Sequence, residues 1–366
     1  MKIVIVGAGL TGICCAYELV RAGHTVTVLD SGPIGGETTS NCGSAVLLQT
    51  KENEFMLELT LASLALWDAL ARDCGAPFRR DGSHVVFAGA DEETFAAERA
   101  ALLQARGITI QSLDRKAALA CVPGLHPDIR GSFYCAEDGE ANSFYSCVAI
   151  TTAAVRAGAR ILLGERCNEV VIHAGRVSAA RTASGDIPCD AVIVAAGPWT
   201  ASFVANYGMT LPVYPERGQQ LLTPPMPPTL KGRIVSARYL LGKKHGAFAS
   251  LVVGQEPDGR IKIGSTREPR EAEPIRSDAG RDALLHELAL CIPELARSPI
   301  ERHTVGVRSV SRTGRPIVAE LPGCAGVIAI DGLGGNGVAF APLMATVVAD
   351  AVSGRANSFA DRLALA

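Results

Sequence analysis

The chain has 366 residues, of which 48% are hydrophobic and 20% charged, and its formal net charge is −2. These values are typical of a globular protein and exclude a disordered or fibrous chain, while the length suggests two domains. Because the charge is nearly balanced and no basic run occurs, nucleic acid is not expected as a partner.

The eleven cysteines have the pattern of reduced thiols. Their number is odd, Cys14 and Cys15 are adjacent, and no C-x-x-C pair occurs, which favours a cytoplasmic location. The seven histidines show no ligand spacing, so no metal site is expected. The apolar N-terminus is interrupted by early glycines, and the uncharged stretch 332–349 contains four glycines and Pro342. Neither is therefore expected to be a transmembrane segment.

The first thirty residues have the pattern of a βαβ unit. The apolar run 2–6 predicts a buried parallel strand, and a helix is expected over residues 11–22, ended by Gly23. The β-branched run 25–29 predicts a second strand, which closes at Asp30.

The middle of the chain alternates between helical and strand patterns. Helices are predicted over 54–72 with Gly75 as C-cap, over 91–106 with Asp91 as N-cap, and over 143–157. Strands are predicted over 83–88, 160–163 and 191–195, and a hairpin over 166–182 that turns at residues 174–175. Short strands from 211 to 308, with one helix near 278–291, indicate a mostly antiparallel sheet.

The C-terminus restores the earlier order, with a strand over 326–330, a glycine-rich turn and a helix to about Val352. The predicted fold class is therefore α/β, a Rossmann-type dinucleotide-binding domain with an inserted, mostly antiparallel β substrate domain. Residues 1–75, 143–207 and 311–366 are assigned to the first domain. Residues 76–142 and 208–310 are assigned to the second.

The βαβ unit carries the dinucleotide motif G-x-G-x-x-G over residues 7–12. Gly7 makes the tight turn, Gly9 lets a pyrophosphate approach the backbone, and Gly12 lets the helix pack closely on the strand. Asp30 ends the next strand, where a carboxylate accepts hydrogen bonds from ribose hydroxyls. The complete strand–turn–helix–strand–acid arrangement predicts a dinucleotide site.

A second G-x-G-x-x-G occupies residues 332–337, but no further strand ending in an acid follows it. It is therefore interpreted as a helix N-terminus aimed at an electron-rich group, for which the backbone N–H groups of residues 334–338 would stabilise the negative charge of a reduced flavin. The alternative is a structural turn that caps the last helix.

Further motifs occur in a fixed order along the chain. They are T-S-N-C-G at 39–43, the segment 190–199 that ends A-A-G-P-W, R-G-Q at 217–219, G-S-T at 264–266, and a G-x-x-x-N-G-x-x-x-x-P turn at 332–342. Together with the N-terminal turn, this set resembles the D-amino-acid oxidase superfamily, especially its glycine oxidase, D-amino-acid dehydrogenase and sarcosine oxidase group. The resemblance runs from Met1 to about Ser353.

The resemblance implies that the cofactor is FAD and that the first domain is an FAD-binding domain. Monomeric sarcosine oxidases tether FAD through a cysteine near residue 308. None lies between Cys291 and Cys324 here, so non-covalent FAD is expected. Cys167 is the residue whose backbone is expected to meet adenine. The predicted cofactor-binding residues are Gly7, Gly9, Leu10, Thr11, Gly12, Asp30, Ser31, Thr39, Ser40, Asn41, Cys167, Ala196, Gly197, Trp199, Gly332, Gly334, Gly335, Asn336, Gly337 and Val338.

The segment 306–316 resembles the family's G-x-R-P-x-x-x-D-G-x-P, with Ser309 in place of the proline and Thr313 in place of the aspartate. The resemblance implies that Arg308 binds the substrate carboxylate, which a planar guanidinium can hold through two N–H groups. The alternative is an ordinary surface arginine. Tyr239 resembles an active-site tyrosine of glycine oxidases, although a core tyrosine is an equal alternative. Some glycine oxidases have a second arginine where Gly335 stands, so a two-arginine clamp is not expected.

The resemblance implies FAD-dependent oxidation of the C–N bond of a small D-, N-substituted or cyclic amino acid, by hydride transfer to flavin and with an imine as product. One alternative is the FAD-bearing catalytic subunit of a hetero-oligomeric proline-, hydroxyproline-, opine- or sarcosine-type dehydrogenase. Another is a catalytically silent flavin-binding scaffold, against which the retained Arg308 argues.

Overall fold

The computed structural model describes residues 1–51, 53–243, 246 and 248–365. The helices, in chain order, are α1 (Leu10–Arg21), α2 (Glu54–Cys74), α3 (Ala90–Gln104), α4 (Arg115–Cys121), α5 (Ser143–Arg156), α6 (Thr200–Ala205), α7 (Ala237–Lys243), α8 (Asp278–Cys291), α9 (Gly337–Val352) and α10 (Ala360–Leu363). The strands are β1 (Lys2–Val6), β2 (Thr25–Asp30), β3 (Ala45–Val46), β4 (Phe78–Arg79), β5 (Ser83–Phe87), β6 (Ile110–Asp114), β7 (Gly131–Cys135), β8 (Gly139–Ala141), β9 (Arg160–Leu163), β10 (Glu169–His173), β11 (Arg176–Thr182), β12 (Gly185–Pro188), β13 (Ala191–Val194), β14 (Val213–Leu222), β15 (Arg233–Ser236), β16 (Ala249–Gln255), β17 (Ile261–Thr266), β18 (Glu268–Pro269), β19 (Arg302–Ser311), β20 (Ile317–Glu320) and β21 (Val327–Asp331).

The first sheet has the strand order β20-β21-β13-β1-β2-β9. Its strands run parallel except β20, which pairs antiparallel with β21 at the edge. Residues 3–6 of β1 and the whole of β13 are buried, as expected for parallel strands covered on both faces. The parallel strands therefore end at one edge of the sheet, and the N-terminal glycine turn lies there.

Helices α1, α2, α5 and α9 cover this sheet. Helix α1 packs against α5 and α9, and α2 packs against α9. Their apolar faces form the largest core cluster, in which Trp67 of α2 and Phe340 of α9 are fully buried. This packing sets the position of α9, which begins at the second glycine turn.

The second sheet has the strand order β18-β14-β17-β16-β15-β5-β7-β6, and β19 pairs with β14. Its pairs are antiparallel except β15 with β5, which run parallel. Helix α8 packs against β14, β16 and β17. The long β14–β19 pair brings residues of the R-G-Q motif and of the G-x-R motif side by side.

The α/β fold class and the mostly antiparallel second sheet are confirmed, as is the hairpin turn at residues 174–175. The prediction that Asp91 is the N-cap of α3 is wrong. Helix α3 begins at Ala90 after Gly89, and the Glu92 carboxylate in its first turn accepts from the backbone N–H groups of Ala88 and Gly89. The domain boundaries stay a prediction.

One helical stretch of the described chain, Gly334–Val352, is long and apolar enough to cross a membrane. Of this stretch, 61% is buried inside the fold, and a core helix of a globular protein has the same length and composition. All eleven cysteines lie in the described ranges, and each is a free thiol.

Candidate active site

A cavity of about 810 Å³ lies where the parallel strands of the first sheet end, and strands of the second sheet close its other side. Its volume is within the range of roughly 300–1,000 Å³ that is usual for ligand pockets. Ligands of open parallel α/β sheets bind at this carboxyl edge. Residues of both glycine turns line the cavity. The first glycines of the two turns, Gly7 and Gly332, are separated by 325 residues in the sequence.

The N-terminal turn needs glycine at two positions. Gly7 has φ +113°, and a Cβ on it would overlap the carbonyl oxygen of Ala195 at the end of β13. A Cβ on Gly12 would overlap the carbonyl of Gly7, so the helix can approach the turn only without a side chain. These contacts are the physical reason for the spacing that the sequence motif shows.

Residues of this turn line the cavity together with Thr39 and Asp30. Gly9 precedes α1 and gives it no side-chain cap, while the Leu10 N–H donates to the hydroxyl of Thr39 at 3.1 Å. The Asp30 carboxylate accepts from the backbone N–H groups of Ala8 and Gly32 at 2.7 and 2.8 Å and also lines the cavity. Asp30 is thus held as an acceptor whose remaining lone pairs can receive hydroxyl groups.

The C-terminal turn ends in a second open helix start. Gly332 and Gly334 have φ +70° and +53°, and α9 begins at Gly337. Asn336 does not cap the helix; its Oδ1 accepts instead from Lys51 Nζ at 2.6 Å. The first N–H groups of α9 therefore have no side-chain cap within the described chain, and they carry the positive end of the helix dipole.

Arg308 lies on β19 and also lines the cavity. Its side chain is 16% exposed, so it is not an ordinary surface arginine. Nη1 donates to Glu216 Oε1 at 2.8 Å and to the Thr266 carbonyl at 3.3 Å, and Nη2 donates to Ser265 Oγ at 2.6 Å. Gly218 on β14, two residues after the register partner of Arg308, leaves room for the guanidinium, because a Cβ there would overlap it.

Tyr239 is both a core residue and a residue of the cavity wall, and its role in the active site stays a prediction. It is 7% exposed and belongs to a small apolar cluster with Val85 and Phe87, and it also lines the cavity. Burial lowers the pKa of the Arg308 guanidinium, and the nearby Glu216 and Tyr239 act in the opposite direction. Tyr239 is therefore close enough to Arg308 to act on it electrostatically.

Most of the predicted site residues lie on the cavity wall. The wall includes Gly7, Gly9, Leu10, Thr11, Asp30, Ser31, Thr39, Asn41, Cys167, Ala196, Gly197, Trp199, Gly334, Gly335, Asn336, Gly337, Val338, Tyr239 and Arg308. Gly12, Ser40 and Gly332 lie outside it. Gly12 packs α1 on β1, the Ser40 hydroxyl donates to the Gly35 carbonyl, and Gly332 makes the turn before α9.

Several charged residues of the site are missing from the sequence-based set. Arg267 lies on the cavity wall, with Nη2 3.6 Å from where a Cβ on Gly335 would stand. A second guanidinium therefore lies beside Gly335 although residue 335 is not an arginine, because Arg267 reaches this place from the second sheet. The expectation that the site has no two-arginine clamp stays a prediction. Asp331, beside the C-terminal turn, also lines the cavity, and burial raises its pKa to about 6.

Comparison with known proteins identifies the family of the chain. A family model described as FAD dependent oxidoreductase (DAO) matches residues 2–351. The chain belongs to this family. It is 25% identical over 367 residues to a glycine oxidase of Geobacillus kaustophilus, covering 98% of this chain and 94% of that protein. It is 26% identical to a D-amino acid dehydrogenase of Cereibacter sphaeroides, covering 97% and 92% of the two chains.

The fold is that of a glycine oxidase structure from Bacillus cereus, with a TM-score of 0.89, 21% identity, and coverage of 99% of this chain and 98% of that one. The protein is thus an FAD-dependent oxidoreductase. The residues present fit FAD: the N-cap residues of α1 and α9 make no side-chain cap, and Asp30 is positioned as an acceptor. Among the described residues no group of three His, Cys, Asp or Glu could hold a metal ion.

Proposed function

We propose that the protein oxidises the C–N bond of a small amino acid, D-, N-substituted or cyclic, to an imine, with Arg308 as the carboxylate anchor. The observation that carries this proposal is the position of Arg308, held by three hydrogen bonds on the wall of the cavity that also contains both glycine turns. FAD, when bound, supplies the hydride acceptor for this reaction.

The guanidinium of Arg308 still has donors to offer. Its hydrogen bonds occupy both N–H groups of Nη1 and one of Nη2. A guanidinium has five N–H donors, so one on Nη2 and the one on Nε remain for a ligand. Two such donors can receive the two oxygens of a carboxylate. A substrate anchored there has a fixed orientation of its carbon–nitrogen bond, which supports the rate through positioning.

Other residues of the cavity wall have the chemistry needed to bind FAD. The proposed FAD contacts are Asp30 for the ribose hydroxyls, the Gly7–Leu10 backbone for the pyrophosphate, and Cys167 and Trp199 at the adenine end. The start of α9 would lie near the negative charge of the reduced cofactor. An acid–base triad is not required, because the substrate loses a hydride to the cofactor.

FAD is proposed to be bound without a covalent bond. The thiols of Cys42 and Cys167 line the cavity, and burial raises the pKa of both, that of Cys167 to about 11. A thiol that stays protonated is a poor nucleophile, so neither is suited to form a tether. Heat or acid should release intact FAD. Yellow colour that remains on the precipitated polypeptide would contradict this part of the proposal.

The test of the function is anaerobic bleaching of the flavin absorption of the holoenzyme. A panel of D-, N-methyl and cyclic amino acids should contain at least one compound that bleaches it, with an equimolar oxo acid or aldehyde as product. A panel in which no compound with an α-carboxylate bleaches the flavin, although dithionite does, would refute the proposal.

The hetero-oligomeric alternative differs in what the isolated chain can do. Steady turnover of the isolated chain with oxygen or a soluble quinone favours a free-standing enzyme. Flavin reduction without turnover, together with co-purification of a second flavin or an iron–sulfur chromophore, favours a subunit of a larger dehydrogenase.

A further inference from the structure

Helix α9 begins after an asparagine that does not cap it. Asn336 is the N-cap residue of this helix, yet its side chain makes no cap hydrogen bond. Asparagine is one of the preferred N-cap residues, because its side-chain oxygen can accept from the second or third N–H of a helix. In α9 these N–H groups belong to Val338 and Ala339. An asparagine that leaves them without a cap needs a physical cause.

Two other helices of this chain show the usual arrangement. Asn53 precedes α2 and Asn142 precedes α5, and the side-chain oxygen of each accepts from the backbone N–H three residues later at 3.0 Å. Both have an extended backbone, with ψ of 169° and 111°. Asn336 has ψ of 13° because it belongs to the short 3₁₀ turn that precedes α9. Asn336 therefore differs from the two capping asparagines in its backbone as well as in the partner of its side chain.

That partner is Lys51, which lies just before α2. Its Nζ donates to Asn336 Oδ1 at 2.6 Å, and it stands 5.4 Å from the ring centroid of Phe340 in the first turn of α9, within the range of a cation–π contact. Lys51 is 6% exposed, and both Lys51 and Asn336 line the cavity. The oxygen that would cap α9 is thus directed to a buried ammonium group instead.

We propose that Lys51 is a positioning residue for the cofactor: it holds the Asn336 oxygen away from α9 and so leaves the first N–H groups of this helix available to FAD. The inference rests on the proposed position of the α9 start near the flavin. Gly335 and Gly337 flank Asn336, and glycine restricts the backbone least. Without Lys51, Asn336 can therefore become extended and cap the helix, and the cap uses an N–H group that FAD would otherwise receive.

The first test is amide hydrogen exchange of the full-length chain after removal of FAD. Lys51→Met removes the ammonium group and keeps an unbranched side chain. Exchange over residues 337–339 should slow roughly fivefold in this variant, because a cap of typical strength then protects one amide. A turn that has only lost an anchor would exchange faster, so the sign of the change separates capping from general loosening. Lys51→Met/Asn336→Ala should show no such protection, since alanine cannot cap.

The second test is the affinity for FAD, measured by titration of the same chains. Lys51→Met should weaken binding roughly tenfold, the loss of about one hydrogen bond to the cofactor. The same substitution in an Asn336→Ala variant should change the affinity less than about twofold, because no side chain remains to compete. Comparison within each background cancels any direct contact of Asn336 with FAD. Lys51→Arg keeps a donor for Asn336 and should retain most of the affinity.

The matched control is Asn53→Ala. Asn53 lies two residues after Lys51 and off the cavity wall, and it does cap its helix. Its loss should lower the stability of the protein and leave the FAD affinity unchanged. This control separates the effect of Lys51 from a disturbance of the start of α2.

Equal losses of FAD affinity in the presence and absence of Asn336 would overturn the inference, because Lys51 would then act on FAD without Asn336. Faster exchange over 337–339 in Lys51→Met would overturn it as well, as would slower exchange with unchanged FAD affinity. If a variant does not stay folded without FAD, the rate of FAD release from the holoenzyme, compared in the two backgrounds, decides. None of these measurements needs a substrate, so a failed amino-acid panel refutes the proposed function and leaves the role of Lys51 to be judged separately.

Discussion

The indole N–H of Trp67 on α2 donates to the backbone carbonyl of Val338 on α9 at 3.1 Å. Pro342 lies four residues after Val338, inside the same helix, and has no N–H to donate to that carbonyl. The neighbouring Ser63 hydroxyl donates to the next carbonyl, that of Ala339. Helix α2 therefore completes the hydrogen bonding of the first turn of α9, the turn proposed to lie near the flavin.

Trp67→Phe should lower the free energy of unfolding by about 1–3 kcal/mol, because a buried carbonyl loses its partner. The same substitution is also made in a Pro342→Ala variant, in which residue 342 has an N–H that can donate to the Val338 carbonyl. Trp67→Phe should cost about 1 kcal/mol less on that background, as measured by denaturant unfolding in a double-mutant cycle. An equal cost on both backgrounds would mean that ring packing, and not this hydrogen bond, explains the effect.

The sequence predicts the local features of this fold better than the contacts between distant segments. Helix α2 was expected over 54–72 with Gly75 as C-cap, and it spans Glu54–Cys74 with Gly75 at φ +69°. Apolar period and a C-terminal glycine are both local signals, and here they agree. At α3 the local signals conflict, because the acids of its first turn suit an N-cap as well as a dipole contact. The Glu92 carboxylate caps from within the helix, so the boundary shifts.

In the site, the glycine turns and Arg308 can be recognised from motifs, whereas Glu216 and Arg267 cannot. Glu216 is 92 residues from Arg308 in sequence and becomes its partner only through the register of β14 with β19. Arg267 meets Gly335 only because the second sheet folds over the C-terminal turn. The reason for glycine in the R-G-Q motif is also a contact between distant segments. A side chain on Gly218 would overlap the guanidinium of Arg308 on another strand.

Gly218→Ala tests that last relationship. A Cβ at residue 218 would overlap the Arg308 guanidinium, the far end of a flexible side chain, so the fold should persist while the guanidinium moves. The apparent Kd for the amino acid in anaerobic flavin reduction should rise at least about tenfold, with FAD content unchanged. Gly280→Ala is the control, because its Cβ would overlap the Gln219 side chain, away from the cavity wall. Equal apparent Kd values in the two variants would contradict the account.

Asp30→Ala should weaken FAD binding roughly tenfold to a hundredfold, since hydrogen bonds to a charged acceptor contribute about 1.5–3 kcal/mol each. The measurement is titration of the apoprotein with FAD by fluorescence. Asp190→Ala is the control: its carboxylate accepts from the backbone N–H of Lys2 at 2.6 Å, at the other end of β1 and off the cavity wall. Unchanged FAD affinity in Asp30→Ala would remove Asp30 from the proposed site.

Asp138 predicts a pH dependence of stability. It is fully buried, and burial raises its pKa to about 6, although Ser83 and the Leu48 N–H donate to it. Because the folded pKa lies above the unfolded value, this stabilising contribution is fully present below about pH 4 and is lost as pH rises through about 6. Asp138→Asn mimics the protonated form. Relative to it, wild type should lose on the order of 2–3 kcal/mol between pH 4 and 7. Parallel pH profiles of unfolding for the two proteins would contradict this.

The central claim is that Arg308 holds the carboxylate of an amino-acid substrate. It is tested most directly by anaerobic flavin reduction with the best substrate of the panel and with the same amine lacking its carboxylate, in wild type, Arg308→Ala, Arg308→Lys and Arg302→Ala. Arg302 is the control, an exposed arginine on the same strand and off the cavity wall. Wild type and Arg302→Ala should strongly prefer the amino acid. Arg308→Ala should retain FAD but lose about 2–5 kcal/mol of this preference, and Arg308→Lys should restore only part of it, because an ammonium lacks the guanidinium fork. An undiminished preference in Arg308→Ala would contradict the claim.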